Sequence, residues 1–376
     1  MTHLSRRQTL ALMGGAAISP AMGGCAQTSP NTRAVETAPA TSLGTLAAKK
    51  GLRFGSEINH TQLGDQAYID IFTRECSVMV PGNELKMYTI EDEPGVWNFE
   101  PGDTLAAFSQ SNGIGMRGHT LLWNYPRWLP DWVNAQEFES SDEAAQFLTD
   151  YISRVASHYS PHVHSWDVIN ESFNETTGEL RESVFSNAMG WDVIDHCFHV
   201  AKASAPNAKL IYNDYMSWED KSANHRAGVL KLLERLLKNN VPIDGLGVQA
   251  HIMLDSEIPF TSQKQIAWSN YLKEISDMGL DLLFTEFDVN DRLYDADDAT
   301  RDAEIAAYGK DYMDIAFANR STTDFLLWGM ADQYSWLQNF RKEGQPPARA
   351  LPYDVNYNPK PLREAIAASL KGAPAR

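Results

Sequence analysis

The stretch "LDLLFTEFDVND", residues 280–291, begins as a buried strand and ends on carboxylates. Leu282, Leu283 and Phe284 form a short apolar run, and Glu286 and Asp288 follow it two positions apart. Side chains alternate in direction along a strand, so acids at this spacing share one face. Like charges on one face repel, and burying them costs free energy unless neighbours compensate. A strand that is apolar along its length and acidic at its end therefore asks what surrounds that end.

The same design recurs along the chain. Strand candidates are "RFGSEI" (53–58), "ECSVMV" (75–80), "GMRGHT" (115–120), "HSWDVIN" (164–170), "AKLIYND" (208–214), "GLGVQAH" (245–251), "LLFTEFD" (282–288) and "DFLLWGM" (324–330). Helical patterns fall between them. "SDEAAQFLTDYISRVASHY" places Ser140 three residues before Glu143, a capping box. "GVLKLLERLLKNN" sets Leu230, Leu233, Leu236 and Leu237 on one face. "KQIAWSNYLKEISDMG" stacks Trp268, Tyr271, Leu272 and Ile275 and stops at Gly279. The last helix starts at Pro361. Eight strands alternating with helices predict a single α/β domain, a (β/α)₈ TIM barrel over residues 43–372. A doubly wound sheet is the alternative, but it usually carries a glycine-rich turn after the first strand, and "FGSEINH" has none.

Composition narrows the function. The chain has 376 residues, 43% hydrophobic and 22% charged, as globular proteins do. Its formal charge of −17 argues against nucleic acid and against electrostatic docking on anionic membranes. Ten Trp and fourteen Tyr supply flat amphipathic surface of the kind sugar clefts use.

The N-terminus predicts export. "SRRQTLALMGGAAISPAMGGC" has paired Arg6 and Arg7, an apolar stretch and small residues, like a twin-arginine signal over residues 1–25. Its apolar part is too short to span a membrane. Cys25 is a candidate lipid anchor, which would make the product periplasmic and membrane-tethered; otherwise it is periplasmic or secreted. Residues 26–42, small, polar and Pro-containing, read as a flexible tether. Cys76 and Cys197 then remain, expected as buried free thiols, and no zinc spacing occurs.

In a TIM barrel the active site gathers at the C-terminal strand ends. Here these ends carry His119; Asn170 and Glu171; Asn213 and Asp214; Gln249 and His251; Glu286 and Asp288; and Trp328. Taken singly, His119 is more often a satisfied core residue, and Trp123, Trp328 and Trp336 plain core. Six such endings on one rim exceed what solvation requires. Asp167 reads as a structural anchor that orients His119. Only His162 and His164 have metal-like spacing, and they begin a strand, at the far end from the rim, so no metal or other cofactor is expected. Two rim glutamates from different strands, Glu171 and Glu286, remain. Such a pair is what glycoside hydrolysis requires: an acid for the leaving oxygen and a carboxylate for the anomeric carbon or for a water.

At these residues the sequence resembles the family 10 glycoside hydrolases, mainly endo-β-1,4-xylanases. The resemblance runs through "NELK" (83–86), "GVWNFEPGD" (95–103), "RGHTLLW" (117–123), "SWDVINES" (165–172), "YNDY" (212–215), "GLGVQAH" (245–251), "FTEFDV" (284–289), "WGMADQYSWL" (328–337) and "LPYDVNYNPKP" (351–361). It implies Glu171 as acid/base and Glu286 as nucleophile in a retaining double displacement on a β-1,4-linked polysaccharide or oligosaccharide. It further implies that Asn170 hydrogen-bonds the 2-OH of the reacting sugar. Asn83, Lys86 and His119 would hold sugars on the non-reducing side, within walls from Trp123, Trp328 and Trp336. Tyr215, Gln249 and His251 complete the substrate-binding set, and Asp288 would stand behind His251.

The sequence also departs from the family. Gly82 stands where Glu is general, Met87 where Trp is usual, Asn124 where His is general and Met216 where Asn is usual. Three of the four are expected to map to the non-reducing-side subsites. They leave open a β-1,4-glucanase, a hydrolase of decorated oligosaccharides, or a carbohydrate-binding protein that has lost turnover. A metal-dependent hydrolase or an aldolase on the same barrel is the remaining alternative; an aldolase needs a Lys at a strand end, and none of the eight ends in Lys.

Overall fold

The structure, a computed structural model, describes residues 41–376. The export signal at 1–25, the candidate anchor Cys25 and nearly all of the tether lie outside the described residues. Among the described residues there are nine strands: β1 (Arg53–Ile58), β2 (Val78–Pro81), β3 (Gly115–Trp123), β4 (Val163–Asn170), β5 (Lys209–Asp214), β6 (Gly245–Val248), β7 (His251–Met253), β8 (Asp281–Asn290) and β9 (Thr322–Leu327). They pair in the order β6-β5-β4-β3-β2-β1-β9-β8-β7, and a further β6–β8 pairing closes the ring. Every pairing is parallel. Eight strands thus form a (β/α)₈ barrel, and the short β7 continues β6 along the edge of β8.

Parallel neighbours need crossovers, and the helices that make them cover the outer face. The strands are consequently apolar on both sides, and β2 and β6 are buried at every position. Helix Ser262–Asp277 buries Trp268, Tyr271, Leu272 and Ile275, and the chain turns away at Gly279 with φ 83°. Helix Pro361–Gly372 starts at its proline. In helix Ser141–Tyr159, Ser140 Oγ accepts the Glu143 N–H at 3.2 Å, but Glu143 Oε2 accepts from the N–H of Glu139 instead of Ser140. Only half of the expected capping box forms.

Two expectations are corrected. Helix Ala223–Lys238 buries Val229, Leu232, Leu233 and Leu236, whereas Leu237 is 37% exposed. The true stripe follows i, i+3, i+4, i+7 from Val229, which puts Leu230 and Leu237 at its flanks. The second strand begins at Val78, not at residue 75, because Glu75 ends a helix and Cys76 caps it through an N–H bond to Phe72 O at 2.9 Å. Cys76 and Cys197 are both free and buried.

Glu75 also joins the two ends of the domain. Its carboxylate accepts the N–H of Leu43 at 2.8 Å and the hydroxyl of Tyr353 at 2.7 Å, and it pairs with Arg363 at 3.3 Å. The first and last helices are tied by this one buried acid. Among the described residues no helix is long and apolar enough to cross a membrane.

Candidate active site

The strand ends converge on one cleft of about 700 Å³. Its walls include Asn83, Lys86, His119, Trp123, Asn170, Glu171, Tyr215, Gln249, His251, Glu286, Trp328 and Trp336, which is every binding and catalytic position expected from the sequence. Asp167 and Asp288 stand behind it, both buried.

The backbone kinks where the key side chains emerge. Glu171 follows β4 directly and has φ 57°, a left-handed conformation unusual for a residue with a side chain. Its N–H is held by Asn213 O at 3.0 Å, and Arg181 Nε donates to its carbonyl at 3.2 Å. Ala250, with φ 63°, makes the corresponding break between β6 and β7, so that Gln249 and His251 both face the cleft.

The two glutamates occupy opposite environments. Glu286 Oε1 accepts from Asn213 Nδ2 at 2.8 Å, and Oε2 lies 3.2 Å from His251 Nε2. Burial alone would raise its affinity for a proton. The His251 hydrogen bond, with the charges of His119, His251 and Lys86, outweighs burial and brings the carboxyl down to about 2. His251 is held in turn by Asp288, whose Oδ2 lies 3.0 Å from Nδ1 and also accepts from Trp336 Nε1 at 2.7 Å. Burial disfavours the imidazolium, but Asp288 and Glu286 raise His251 to about 10. The opening repulsion is thereby resolved: a positive imidazole sits between the two acids of β8.

Among the described residues no ion pair forms with the Glu171 carboxyl. Burial pushes its carboxyl up, Gln249 Nε2 pulls it back with one hydrogen bond to Oε1 at 2.9 Å, and Asp214 and Glu286 raise it further, to about 7. Asn170 links the two centres, since its side-chain amide lies 3.0 Å from Asn213 Nδ2 and 3.2 Å from Gln249 Nε2. The Asn213 amide has room because Gly247 lacks a Cβ, which would stand 2.2 Å from Asn213 Oδ1.

The aromatic walls are fixed as well. His119 pairs across β3 and β4 with Asp167, Nδ1 to Oδ2 at 3.0 Å, and the buried Arg117 holds the other oxygen of Asp167. His119 meets Trp328 edge-on at 5.5 Å. Lys86 Nζ lies 4.6 Å from the Trp123 ring and 5.7 Å from Trp328. Trp128 stacks on Trp123 at 4.8 Å. Tyr215 OH accepts from Arg181 at 3.0 Å and bonds Glu175.

Several lining residues were not singled out from the sequence, among them Glu57, Asn59, Tyr88, Arg127, Trp128 and Tyr334. Glu57 is the one with a legible signal, since it too is an acid near a strand's C-terminal end. The departures fall differently from expectation. Met87, Asn124 and Met216 are 4%, 0% and 1% exposed and do not line the cleft. Asn124 instead accepts a hydrogen bond from Ser183 Oγ at 2.6 Å. Only Gly82 faces the cavity. Among the described residues no group of three or more His, Cys, Asp and Glu is placed to hold a metal ion.

Known proteins share this architecture. The profile of Glycosyl hydrolase family 10 matches residues 42–369. Endo-1,4-beta-xylanase B of Thermotoga neapolitana is 32% identical over 314 residues, covering 83% of this chain and 86% of that protein. An endo-1,4-beta-xylanase of Agaricus bisporus is 31% identical, covering 86% and 93%. The crystal structure of native xylanase 10B from Thermotoga maritima superposes with a TM-score of 0.79 at 31% identity, covering 88% of this chain and 98% of that one. Xylanase 10B from Thermotoga petrophila, solved with xylobiose, gives 0.80 at 30% identity, covering 89% and 99%. With the family profile spanning nearly all of the described barrel, the chain belongs to glycosyl hydrolase family 10.

Proposed function

We propose that the chain cleaves internal β-1,4-xylosidic bonds of xylan or xylo-oligosaccharides by double displacement, with retention at the anomeric carbon. One observation carries this reading: two buried glutamates line one cleft in opposite surroundings, the Glu286 carboxyl held low against His251 and Asn213, and the Glu171 carboxyl bonded to Gln249 and raised by burial to about 7. Glu286 attacks the anomeric carbon while the glycosidic C–O bond breaks and Glu171 gives its proton to the leaving oxygen. The covalent ester removes the charge of Glu286, one of the causes that raise Glu171. Glu171, having given up its proton, is then more readily held as the carboxylate that the next step needs. It takes a proton from water, the hydroxyl adds to the anomeric carbon, and the Glu286 carboxylate leaves.

The other residues position the sugar. Asn170, fixed between Asn213 and Gln249, meets the 2-OH of the reacting ring. His119, Lys86 and Asn83 hold the non-reducing side. Trp123, Trp328 and Trp336 pack on apolar sugar faces, Gln249 hydrogen-bonds Glu171, and Tyr215 lines the same cleft. Relatives named as endo-1,4-β-xylanases, one solved with xylobiose, support xylan as the substrate class. The Arg6-Arg7 pair supports export, with Cys25 as the lipid attachment point. Radiolabelled fatty acid that enters the wild type and not Cys25→Ser would establish the anchor, and equal labelling would exclude it.

The test of activity is product analysis on xylohexaose beside Glu286→Ala. Proton NMR of the first product should show the β-anomer before mutarotation, and the variant should release nothing. Tight binding without cleavage by the wild type would favour a carbohydrate-binding protein instead.

A further inference from the structure

Gly82 is the one departure from the family that faces the cleft, and the volume beside it is not empty. Glu57, on β1, pairs in register with Val80 on β2, so the end of β1 runs beside Gly82. A Cβ placed on Gly82 would stand 2.1 Å from Glu57 Oε1 and 2.9 Å from its carboxyl carbon. A side chain at 82 and the present carboxyl of Glu57 therefore exclude each other. Glu57 is 4% exposed, and it lines the cleft with Asn59, Asn83 and Lys86.

The bonding of Glu57 leaves it one free valence toward the cavity. Asn59 Nδ2 donates to Oε1. Among the described residues no group hydrogen-bonds Oε2. Its acidic neighbour Glu84 is fully committed to structure: it accepts from the His60 N–H and Nδ1, both at 2.8 Å, and from the Asn83 N–H at 3.0 Å. Burial and the nearby Glu84 raise the Glu57 carboxyl to about 8 although Lys86 opposes this. In the acid form it offers one donor and one acceptor, the combination that suits vicinal sugar hydroxyls. Lys86 acts on the charges of both Glu57 and Glu286, while Glu57 shares no hydrogen-bond partner with Glu286. Asn59 joins Glu57 to Asn83, whose Nδ2 donates to Asn59 Oδ1 at 2.9 Å, so Glu57 stands with the residues read as holding the non-reducing side.

We propose that Glu57 is a substrate-binding residue that hydrogen-bonds the second sugar on the non-reducing side, supplying from β1 the carboxyl that position 82, just past the end of β2, lacks here. This rests on the glycosidase reading above. The site is then rebuilt by an exchange between adjacent strands, and the loss at 82 does not weaken the cleft.

The test compares 4-nitrophenyl β-xyloside, which needs only the ring at the nucleophile, with 4-nitrophenyl β-xylobioside, which also needs the second ring. Glu57→Ala should lower kcat/KM on the xylobioside by roughly tenfold or more, the worth of one hydrogen bond to a carboxyl, and leave the xyloside within about twofold. Glu57→Gln, which keeps the shape, should lower the same ratio less. Gly82→Glu alone should lose xylobioside activity through the clash. The exchange Glu57→Ala with Gly82→Glu should regain most of the wild-type ratio. A ratio unchanged in both Glu57 variants, or a double variant as poor as Glu57→Ala, would overturn the proposal. Wild-type enzyme that turns over neither glycoside defeats the glycosidase reading itself, whereas turnover with an unchanged ratio defeats only the role of Glu57.

Discussion

His251 Nε2 lies 3.2 Å from Glu286 Oε2, and this contact is the first of the opposing forces that hold a fully buried carboxyl down to about 2. The sign follows directly. Glu286 ionises more readily in the fold than in the open chain, so its contribution to stability is present above about 4.5 and fades as pH falls toward about 2. Replacing His251 by Asn should raise the Glu286 pKa. The acidic limb of kcat/KM on xylohexaose should then move up by on the order of one pH unit or more, the equivalent of a lost charge-assisted hydrogen bond. Asp288→Asn should move it the same way by less, since Asp288 acts through the imidazole. A limb that stays in place in both variants would show that the nucleophile is ionised by something else.

In the proposed mechanism Glu171 sets the opposite limb. Its carboxyl is raised to about 7, so activity should decline above neutrality as the proton for the leaving group is lost. The protonated form stabilises the fold fully below about 4.5, and that contribution is lost as pH rises through about 7. The Gln249 hydrogen bond favours the charged form. Gln249→Leu should therefore shift the alkaline limb upward even as it lowers the maximum rate. The position of the limb, read from kcat/KM against pH, checks this; a downward shift would refute the assignment of that limb to Glu171.

The strands were legible because each is a short apolar run with a polar residue at its end, and the end matters more than the run. Glu171, Glu286 and His251 could be read as site residues from that pattern alone. Asn213 could be placed on the rim, but its two hydrogen bonds, to Glu286 and Asn170, depend on the space that Gly247 leaves, a neighbour from another strand. Glu57 was missed for a related reason. It stands in "RFGSEI" as one acid in an ordinary strand, and its meaning lies in the missing side chain at Gly82, across the β1–β2 pairing. Met87, Asn124 and Met216 looked like changes in substrate binding, yet all three are buried in the protein interior. Sequence shows which residue differs; burial and facing decide whether substrate meets the difference.

Glu75 offers a test of how the barrel is held shut. Its carboxylate is buried against Arg363, whose side chain is 3% exposed, and it also receives Leu43 and Tyr353. Glu75→Ala would leave the Arg363 guanidinium buried with, among the described residues, only the exposed Glu364 and the Thr41 carbonyl as partners. Breaking a buried pair by removing one member costs on the order of 3–5 kcal/mol. Urea unfolding followed by tryptophan fluorescence should show a loss of that size, and hydrogen exchange should rise first in the first and last helices. A loss confined to a few tenths of a kcal/mol would mean that the chain ends are held mainly by their apolar contacts.

The helix Ala223–Lys238 permits a sharper comparison, because two adjacent leucines have opposite fates. Leu236 is fully buried and Leu237 is 37% exposed. Truncating Leu236 to Ala removes buried methyl groups and opens a cavity, at a cost of roughly 2–5 kcal/mol. Truncating Leu237 removes atoms already near water and should cost no more than about 0.5 kcal/mol. Helix propensity cannot produce the difference, since the same substitution is made in the same last turn. Equal losses in the two variants, measured by urea unfolding, would return the buried stripe to Leu230 and Leu237 and overturn the packing of this helix on the barrel.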